Sequence, residues 1–159
     1  VVNKHLINSA LVSAQNRQRY YWTNIEGIEQ PKDKGVVLKD ILENGVTDRE
    51  KAHCIDANYF KGGNLKSYFE KHRLQLVFSP NGLCHVGDAD LNGNQSIKRV
   101  LDVKDMTWRK LTPLECERLQ TVPDGYTEGV SNTQRYKMLG NGFTVDVIAH
   151  ILSNLEQVK

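Results

Sequence analysis

The chain has 159 residues, of which 39% are hydrophobic and 25% are charged, and 21 lysines and arginines stand against 19 acids. This length suits one domain or two small ones, and the composition is that of a globular protein and not of a disordered one. A net charge of +2 does not by itself indicate a nucleic-acid-binding protein, so local clustering has to make that case. No run approaches the roughly 18 apolar residues of a membrane span and no signal peptide is present, so we expect a cytoplasmic protein without a membrane partner.

The three cysteines, Cys54, Cys84 and Cys116, are an odd number without CxxC spacing, which predicts reduced thiols. His53-Cys54 and Cys84-His85 match no zinc-finger spacing, so we expect no metal. The chain begins on apolar residues and without a methionine, and we expect it to be part of something longer.

The first 45 residues are predicted to contain a loop that runs into a strand, followed by a short helix. Residues 6–13 suit either a short helix or a strand edge, and the aromatic run that follows predicts a strand over 18–25. Residues 31–35 are predicted to be a linker. A short helix is predicted over 36–42, with Asn44-Gly45 ending it.

A row of polar side chains, two of them cationic, leads into the predicted strand. Side chains alternate along a strand, so Gln15, Arg17 and Arg19 would share one face. Such a row of fixed donors suits phosphate or base carbonyl oxygens. It equally suits a solvated polar strand edge.

Residues 46–105 differ in composition from the rest of the chain. They are rich in Gly, Asn, Lys and Ser, with a short apolar burst at 74–78. Turn signals recur between such bursts, which predicts a small, irregular, mostly β domain with long loops. Lysines, arginines and aromatic residues are interleaved here, which is typical either of a nucleic-acid surface or of a solvated face. The cations that we select are Lys61, Lys66 and Arg73.

A helix is predicted over 112–120. Thr112 is a good N-cap and Pro113 suits the first helical position. Glu115 and Arg118 would form an i,i+3 pair worth a few tenths of a kcal/mol. From these features alone, an ordinary packed amphipathic helix explains the segment.

The end of the chain is predicted to contain a helical turn, a tight loop and a last helix. The turn lies at 132–139 and the loop is Gly140-Asn141-Gly142. Residues 143–155 carry apolar side chains at helical spacing, which predicts an amphipathic C-terminal helix. Free N–H groups at the start of this helix, beside two glycines, would suit an anionic ligand. The alternative is that the loop is an ordinary turn without a ligand.

The order of three of these elements resembles one family, the DNA (cytosine-5) methyltransferases. Residues 15–19, Gln-Asn-Arg-Gln-Arg, are similar to its QxRxR element. Residues 109–124 are similar to its RxLTxxExxRLQxxPD element. Residues 136–147 are similar to its last element, a GN turn that feeds a C-terminal helix.

The resemblance implies an α/β fold: part of a Rossmann-like, S-adenosylmethionine-dependent methyltransferase domain, with a small mostly β target-recognition domain. It implies that 1–45 end the catalytic domain, that 46–105 form the target-recognition domain, and that 106–159 return to the catalytic domain. Double-stranded DNA is the implied partner and S-adenosylmethionine the implied cofactor.

The resemblance also implies roles for single residues. Arg17 and Arg19 would approach a flipped cytosine and its phosphate, and Gln15 would steady that strand at the DNA. The implied cofactor-binding residues are Asn141, Gly142 and Phe143. The implied structural bracket between domains consists of Arg109, Glu115 and Arg118.

The chain departs from the family pattern at the catalytic motifs. The family uses a Pro-Cys nucleophile, whereas the cysteines here follow His53, Leu83 and Glu115. The early Phe-x-Gly-x-Gly turn, a correctly placed Glu-Asn-Val and a Thr-Leu pair are also missing. We therefore expect the C-terminal portion of a bacterial or phage enzyme, inactive alone, whose missing part lies in the same chain or in a separate subunit. A stand-alone DNA-binding or regulatory module is the alternative, and a non-functional remnant is a weaker one.

Overall fold

The structure is a computed structural model that describes residues 1–62, 65–79 and 107–155. Over these ranges the fold is mixed α/β, with two small antiparallel sheets and several short helices. In chain order the elements are β1 (Asn3–Asn8), a 3₁₀ turn (Ser9–Leu11), β2 (Gln18–Thr23), α1 (Leu38–Ile41), a second 3₁₀ turn (Tyr59–Lys61), α2 (Leu65–Lys71), β3 (Leu76–Phe78), β4 (Trp108–Lys110), α3 (Pro113–Leu119), α4 (Asn132–Asn141) and α5 (Val145–Ser153). None of the helices in these ranges has the length and apolar character needed to cross a membrane.

The first sheet is a hairpin of β1 and β2. The predicted strand over 18–25 is confirmed and ends two residues earlier, at Thr23. The ambiguous segment 6–13 divides between both predicted forms, because β1 ends at Asn8 and a 3₁₀ turn follows. The Asn8 side chain stabilises this change of direction by accepting from the backbone N–H groups of Ala10 and Arg17, each at 3.0 Å.

Helix α5 covers one face of this hairpin. Its buried Val147 and Ile151 pack with Ile7 of β1 and with Val12. The predicted C-terminal helix is thereby confirmed, although it begins at Val145 instead of 143. The opposite face of the hairpin exposes apolar and aromatic side chains: Leu6, Tyr20 and Trp22.

The largest core lies among α1, α3, α4 and the second 3₁₀ turn. Its fully buried side chains come from segments far apart in the chain, so it joins the beginning, middle and end of the described residues. The buried members are Ala14, Leu38, Ile41, Ala52, Ile55, Tyr59, Val77, Leu111, Cys116, Leu119, Tyr136 and Leu139.

Helix α3 starts as the sequence predicts. The Thr112 hydroxyl accepts from the Glu115 N–H at 3.1 Å, and the Glu115 carboxylate accepts from the Thr112 N–H at 2.8 Å. Pro113 occupies the first helical position. This reciprocal capping box satisfies two donors that the helix itself cannot pair.

The predicted tight loop at 140–142 is wrong in part, because Gly140 and Asn141 complete α4. Helix α4 extends two residues beyond the predicted turn at 132–139, and only Gly142 caps its end. The physical reason is steric: a glycine at 140 has no Cβ to meet the backbone of Asp56 and Ala57, so the helix continues to Asn141 while it lies against them.

The predicted mostly β character of 46–105 does not hold at α2. Tyr68 of this helix is fully buried and packs with Leu76 and Phe78 of β3. The apolar residues of α2 recur at i, i+3 and i+4, a helical spacing that the short length of the segment hides. Strand β3 pairs with β4, which follows residue 105, so this sheet crosses the predicted domain boundary.

Candidate functional site

An open pocket lies where the turn before β2 meets two loops, residues 53–56 and 72–74. Its volume is about 350 Å³, within the range of roughly 300–1,000 Å³ that small-molecule sites occupy. Its lining is mostly polar and consists of Asn16, Arg19, His53, Cys54, Asp56, His72, Arg73 and Leu74. Two residues that the sequence singled out, Arg19 and Arg73, therefore lie at one site, which we name the Arg19 pocket.

Arg19 is an accessible cation in this pocket. Its Nη1 donates to the Gln18 carbonyl at 2.7 Å and its Nη2 donates to Cys54 Sγ at 3.4 Å. Within the described ranges no carboxylate forms a salt bridge with Arg19. A guanidinium has five N–H donors, so several are available to phosphate or carbonyl oxygens.

Arg17 was predicted to lie on the same face as Arg19, but it is buried, with only 6% of its surface exposed. Its Nη1 donates to Cys54 Sγ at 3.2 Å and to Ile55 O at 2.8 Å. Its Nη2 donates to Gly140 O at 3.1 Å and to Gly142 O at 2.9 Å. These bonds occupy the guanidinium inside the protein, so a direct contact of Arg17 with DNA is not available in this structure.

Gln15 was predicted to lie at the DNA and is instead fully buried. Its Nε2 donates at 2.9 Å both to the Leu119 carbonyl and to Gln120 Oε1. Gln15 thus ties the turn before β2 to the end of α3. The expected shared face does not form, because Gln15 and Arg17 precede β2 and strand alternation applies only from Gln18 onward.

The loop that carries Arg73 has an unusual backbone. His72 and Leu74 have positive φ angles, 50° and 61°, which cost free energy in residues with a Cβ. Between them, Arg73 has a 66% exposed side chain and a long 3.5 Å contact with Asp56. Strained conformations of this kind cluster at functional sites, which favours this loop as part of the site.

His53 lines the pocket near this loop. Its Nε2 is 2.5 Å from Arg49 Nη1, and its ring lies 5.9 Å from that of His72. Burial disfavours the charged ring and the Arg49 cation adds to this effect, so the pKa of His53 falls to about 4 despite the opposing charge of Asp48. His53 is therefore neutral at pH 7.

We expect this histidine to make the protein less stable in mild acid. An unfolded histidine has a pKa of about 6.5, so between pH 6.5 and about 4 the unfolded state of this chain binds a proton that folded His53 does not. Stability is therefore lost as the pH falls through this window. Thermal unfolding at pH 7 and pH 5 should show a smaller decrease in melting temperature for His53→Gln than for the wild type. An equal decrease in both would contradict the assignment.

Two of the three residues predicted to form a structural bracket, Arg109 and Glu115, meet at one buried carboxylate. Glu115 has no exposed side-chain surface and accepts two parallel bonds from Arg109, both 2.8 Å long. It also accepts from the backbone N–H groups of Thr112, at 2.8 Å, and Glu43, at 2.9 Å. Arg109 in turn donates to the Asn44 carbonyl at 2.6 Å. This cluster connects β4 and α3 with the loop after α1.

Arg118 has a different partner from the predicted Glu115. Its Nη2 donates to Asp124 Oδ2 at 2.6 Å, and its Nη1 donates to the Ile41 carbonyl at 3.0 Å. The guanidinium lowers the pKa of the Asp124 carboxyl. The predicted pair fails because Glu115 turns toward the helix start and Arg109, while Arg118 lies next to the turn that follows α3.

Sequence reasoning missed a second buried carboxylate, Glu117. It accepts from Arg135 Nη2 at 2.9 Å and from the N–H groups of Gly125, at 2.7 Å, and Thr127, at 2.9 Å. Burial would raise the pKa of Glu117, but the hydrogen bonds from Thr127 and Arg135 outweigh it and lower the pKa. No local pattern predicts the pairing with Arg135, because the intervening loop creates it.

The predicted cofactor-binding residues lie together at the junction of α4 and α5. Asn141 is exposed, and Phe143 is 64% exposed with its ring 6.4 Å from that of Tyr21. Gly142 closes α4 by donating to the Met138 carbonyl at 2.8 Å.

The free N–H groups expected at the start of α5 are not available. The N–H of Val145 donates to Gln120 O at 2.9 Å, and that of Asp146 donates to Thr121 Oγ1 at 2.8 Å. A ligand at this junction could not use these two N–H groups, and it would meet the exposed side chains of Asn141 and Phe143.

The predicted DNA-binding cations do not assemble into one cluster. Of the three, only Arg73 lines the Arg19 pocket. Lys61 is exposed on the second 3₁₀ turn and Lys66 is exposed on α2. Cys84-His85 lies outside the described residues, and the two described cysteines, Cys54 and Cys116, are free thiols.

Comparison with solved structures first defines the class of fold. The chain matches a methyltransferase of Entamoeba histolytica, EhMeth, with a TM-score of 0.64 at 16% identity, over 100% of this chain and 54% of that one. It also matches S. pombe Dnmt2 with a TM-score of 0.59 at 15% identity, over 100% of this chain and 59% of that one. The mixed α/β fold is therefore that of about half of a methyltransferase of this type.

Sequence comparison then gives the family. Residues 2–157 match the C-5 cytosine-specific DNA methylases, and the chain belongs to this family, whose methyl donor is S-adenosylmethionine. It is 31% identical over 138 residues to the type II methyltransferase M.Sau3AI of Staphylococcus aureus, covering 79% of this chain and 33% of the relative. It is 28% identical to M2.ScrFI of Lactococcus lactis subsp. cremoris, covering 89% of this chain and 41% of the relative. The chain thus spans well under half the length of these curated relatives.

Proposed function

We propose that the chain is the C-terminal portion of a DNA (cytosine-5) methyltransferase. The complete enzyme would flip a cytosine out of duplex DNA and transfer a methyl group from S-adenosylmethionine to carbon 5 of the ring. The observation that carries this proposal is the order of the three sequence elements at 15–19, 109–124 and 136–147, combined with membership of the family. In the family this order surrounds the target-recognition domain, which supports assigning 46–105 to it.

In this proposal the Arg19 pocket faces the target nucleotide. Arg19 would donate to a base carbonyl or to the adjacent phosphate, since its N–H groups are free of a carboxylate partner in the described residues. Arg17 would act as a positioning residue, because it donates to the thiol of Cys54, which lines the pocket, and to the carbonyl of the next residue, Ile55.

The cofactor would meet this chain at the junction of α4 and α5. An exposed amide at Asn141 and an exposed ring at Phe143 suit the polar and aromatic parts of S-adenosylmethionine. This methyl donor would supply the electrophilic carbon. The chain's own contribution is to offer one hydrogen-bonding side chain and one apolar surface.

The nucleophile would come from the rest of the enzyme. Addition to cytosine requires a thiolate, and none of the three cysteines here follows a proline as in the family's Pro-Cys element. Cys116 is fully buried and burial raises the pKa of its thiol, which suits a core residue. The chain alone should therefore not methylate DNA.

Sequencing the native gene upstream of the codon for Val1 tests this proposal. An in-frame extension that encodes Phe-x-Gly-x-Gly, Pro-Cys-Gln and Glu-Asn-Val is the expected result for a single-chain enzyme. The same motifs in a neighbouring frame would make this chain a subunit of a split enzyme. If neither is found, the catalytic proposal fails and a stand-alone DNA-binding module takes its place.

We expect substitution of Arg19 to affect DNA binding and substitution of Arg17 to affect stability. Arg19→Gln removes free donors at the pocket, so it should weaken binding of duplex DNA about tenfold, or ~1.4 kcal/mol, without changing the melting temperature. Arg17→Gln should lower the melting temperature, because four internal hydrogen bonds of the guanidinium are lost.

The control for this comparison is Lys39→Gln, which removes an exposed charge on α1. Fluorescence anisotropy with a labelled duplex measures binding, and thermal unfolding measures stability. Equal losses of affinity in Arg19→Gln and Lys39→Gln would contradict a specific role for the pocket.

A further inference from the structure

Three lysines from separate elements gather around Phe60. Lys61, from the same 3₁₀ turn, has its Nζ 5.8 Å from the centre of the Phe60 ring, and Lys137 of α4 has its Nζ 5.2 Å from it. Lys110 of β4 donates from Nζ to the Phe60 carbonyl at 2.8 Å. We name this group the Phe60 lysine cluster. It lies outside the Arg19 pocket, and none of its members lines that pocket.

The charges of this cluster are not balanced by acids in the described part of the chain. Six salt bridges occur there, and none involves Lys61, Lys110 or Lys137. Because Lys61 and Lys137 lie near one ring, their ammonium groups are at most about 11 Å apart. The Debye length at physiological salt is about 8 Å, so salt screens part of their mutual repulsion. Ammonium groups that are gathered on one surface without an acidic partner leave a local positive charge, which suits an anionic ligand.

The position of the cluster indicates which anion. Asp56 lines the Arg19 pocket, and Phe60 follows it by four residues, so their Cα atoms are at most about 14 Å apart. Along one strand of B-DNA the phosphates recur every ~3.4 Å of helix axis. The separation of the pocket and the cluster corresponds to about four such repeats, so a single duplex is long enough to contact both.

We infer that the Phe60 lysine cluster is a second contact for the phosphate backbone of duplex DNA, beside the Arg19 pocket. This inference rests on the proposed function and extends it to helix α4. Lysine ammonium groups act as point charges without the fork geometry of arginine, so the contact adds affinity but no base selection. Phe60 serves as the surface on which the two ring-stacked lysines are held.

Salt-dependent DNA binding tests the inference. The binding constant of the chain is measured for labelled duplexes of two unrelated sequences, at salt concentrations from about 50 to about 200 mM. Over this range the affinity of proteins for DNA phosphates falls steeply. Lys61→Gln and Lys137→Gln should each reduce the slope of log binding constant against log salt by about 1, and the double variant by about 2. The loss of affinity should be the same on both duplexes.

Two controls make the result decisive. Lys137→Arg keeps the charge and should keep the slope, and Lys39→Gln removes an exposed charge elsewhere and should leave it unchanged. Melting temperatures identify any variant that fails to fold, and if Lys137→Gln does so, Lys61→Gln carries the comparison because Lys61 is exposed. Lys110 is not substituted, because its bond to Phe60 is part of the fold.

The outcomes distinguish this inference from the proposed function. Salt-dependent binding by the wild type with unchanged slopes in the lysine variants would overturn the inference alone. An equal change of slope in Lys39→Gln would show that only the net charge of the chain matters, and it would overturn the inference. A loss of affinity on only one of the two duplexes would overturn it as well. Absence of salt-dependent DNA binding by the wild type would overturn the inference and the DNA contact proposed for the Arg19 pocket, whereas the upstream gene sequence decides the catalytic proposal separately.

Discussion

Replacing Gly140 with alanine is expected to reduce the free energy of unfolding by about 3 kcal/mol or more. A Cβ at this position would lie 2.2 Å from both the carbonyl carbon and the oxygen of Asp56, and 2.4 Å from the nitrogen of Ala57. These are backbone atoms, so they cannot rotate away. Overpacking of this kind typically costs ~1–3 kcal/mol, and more where the neighbour is rigid.

The direction of the effect is diagnostic. Gly140 lies within α4, where alanine is normally about 1 kcal/mol more favourable than glycine. A loss therefore isolates the steric contact with the 56–57 backbone. The same contact positions Arg17, which donates to the Gly140 carbonyl, so the substitution should also weaken DNA binding at the Arg19 pocket.

Gly27→Ala is the matched control for this substitution. Gly27 has a φ of +70° but nothing within 4 Å of a Cβ, so alanine there meets only the ~1–2 kcal/mol cost of the left-handed backbone. Chemical denaturation of the three proteins gives the comparison. If Gly140→Ala is as stable as the wild type, the close approach of α4 to residues 56–57 is wrong.

The second large effect is expected for Glu115→Gln, with a loss of about 3 kcal/mol. Breaking one side of a buried ion pair typically costs ~3–5 kcal/mol, and the lower value applies because Arg109 is partly exposed. Each carboxylate oxygen accepts from two donors: Oε1 from Glu43 N and an Arg109 N–H, and Oε2 from Thr112 N and another Arg109 N–H. Whichever oxygen becomes an amide group will face two donors that it cannot accept.

Asp124→Asn is the control, because it also removes a carboxylate from an arginine. Asp124 is exposed and its partner Arg118 keeps the Ile41 carbonyl, so water compensates and the loss should be much smaller. Denaturation of both variants at pH 7 measures the difference. Equal stability losses would show that Glu115 is not the centre that connects β4, α3 and the loop after α1.

The two substitutions report on different assemblies. Gly140→Ala acts on the wall of the Arg19 pocket through the backbone of 56–57, whereas Glu115→Gln acts on the side of the core that holds β4. We therefore expect Glu115→Gln to reduce stability at unchanged DNA affinity per folded molecule. Titration of the folded fraction with duplex DNA checks this separation.

The local features of the chain were determined by its sequence. The Thr112-Pro113 start of α3, the strand that β2 forms and the apolar spacing of α5 were all predictable, because each rests on neighbours within a few residues. The three ordered elements that indicated the family are likewise a property of the sequence alone.

The roles of single side chains were decided only by the tertiary structure. Gln15, Arg17 and Arg19 look equivalent in the sequence, yet two are buried and only Arg19 reaches the pocket. What separates them is contact with the end of α3 and with α4, more than 100 residues further along the chain. No local spacing encodes such a distance, because the partners meet only when the core between them has packed.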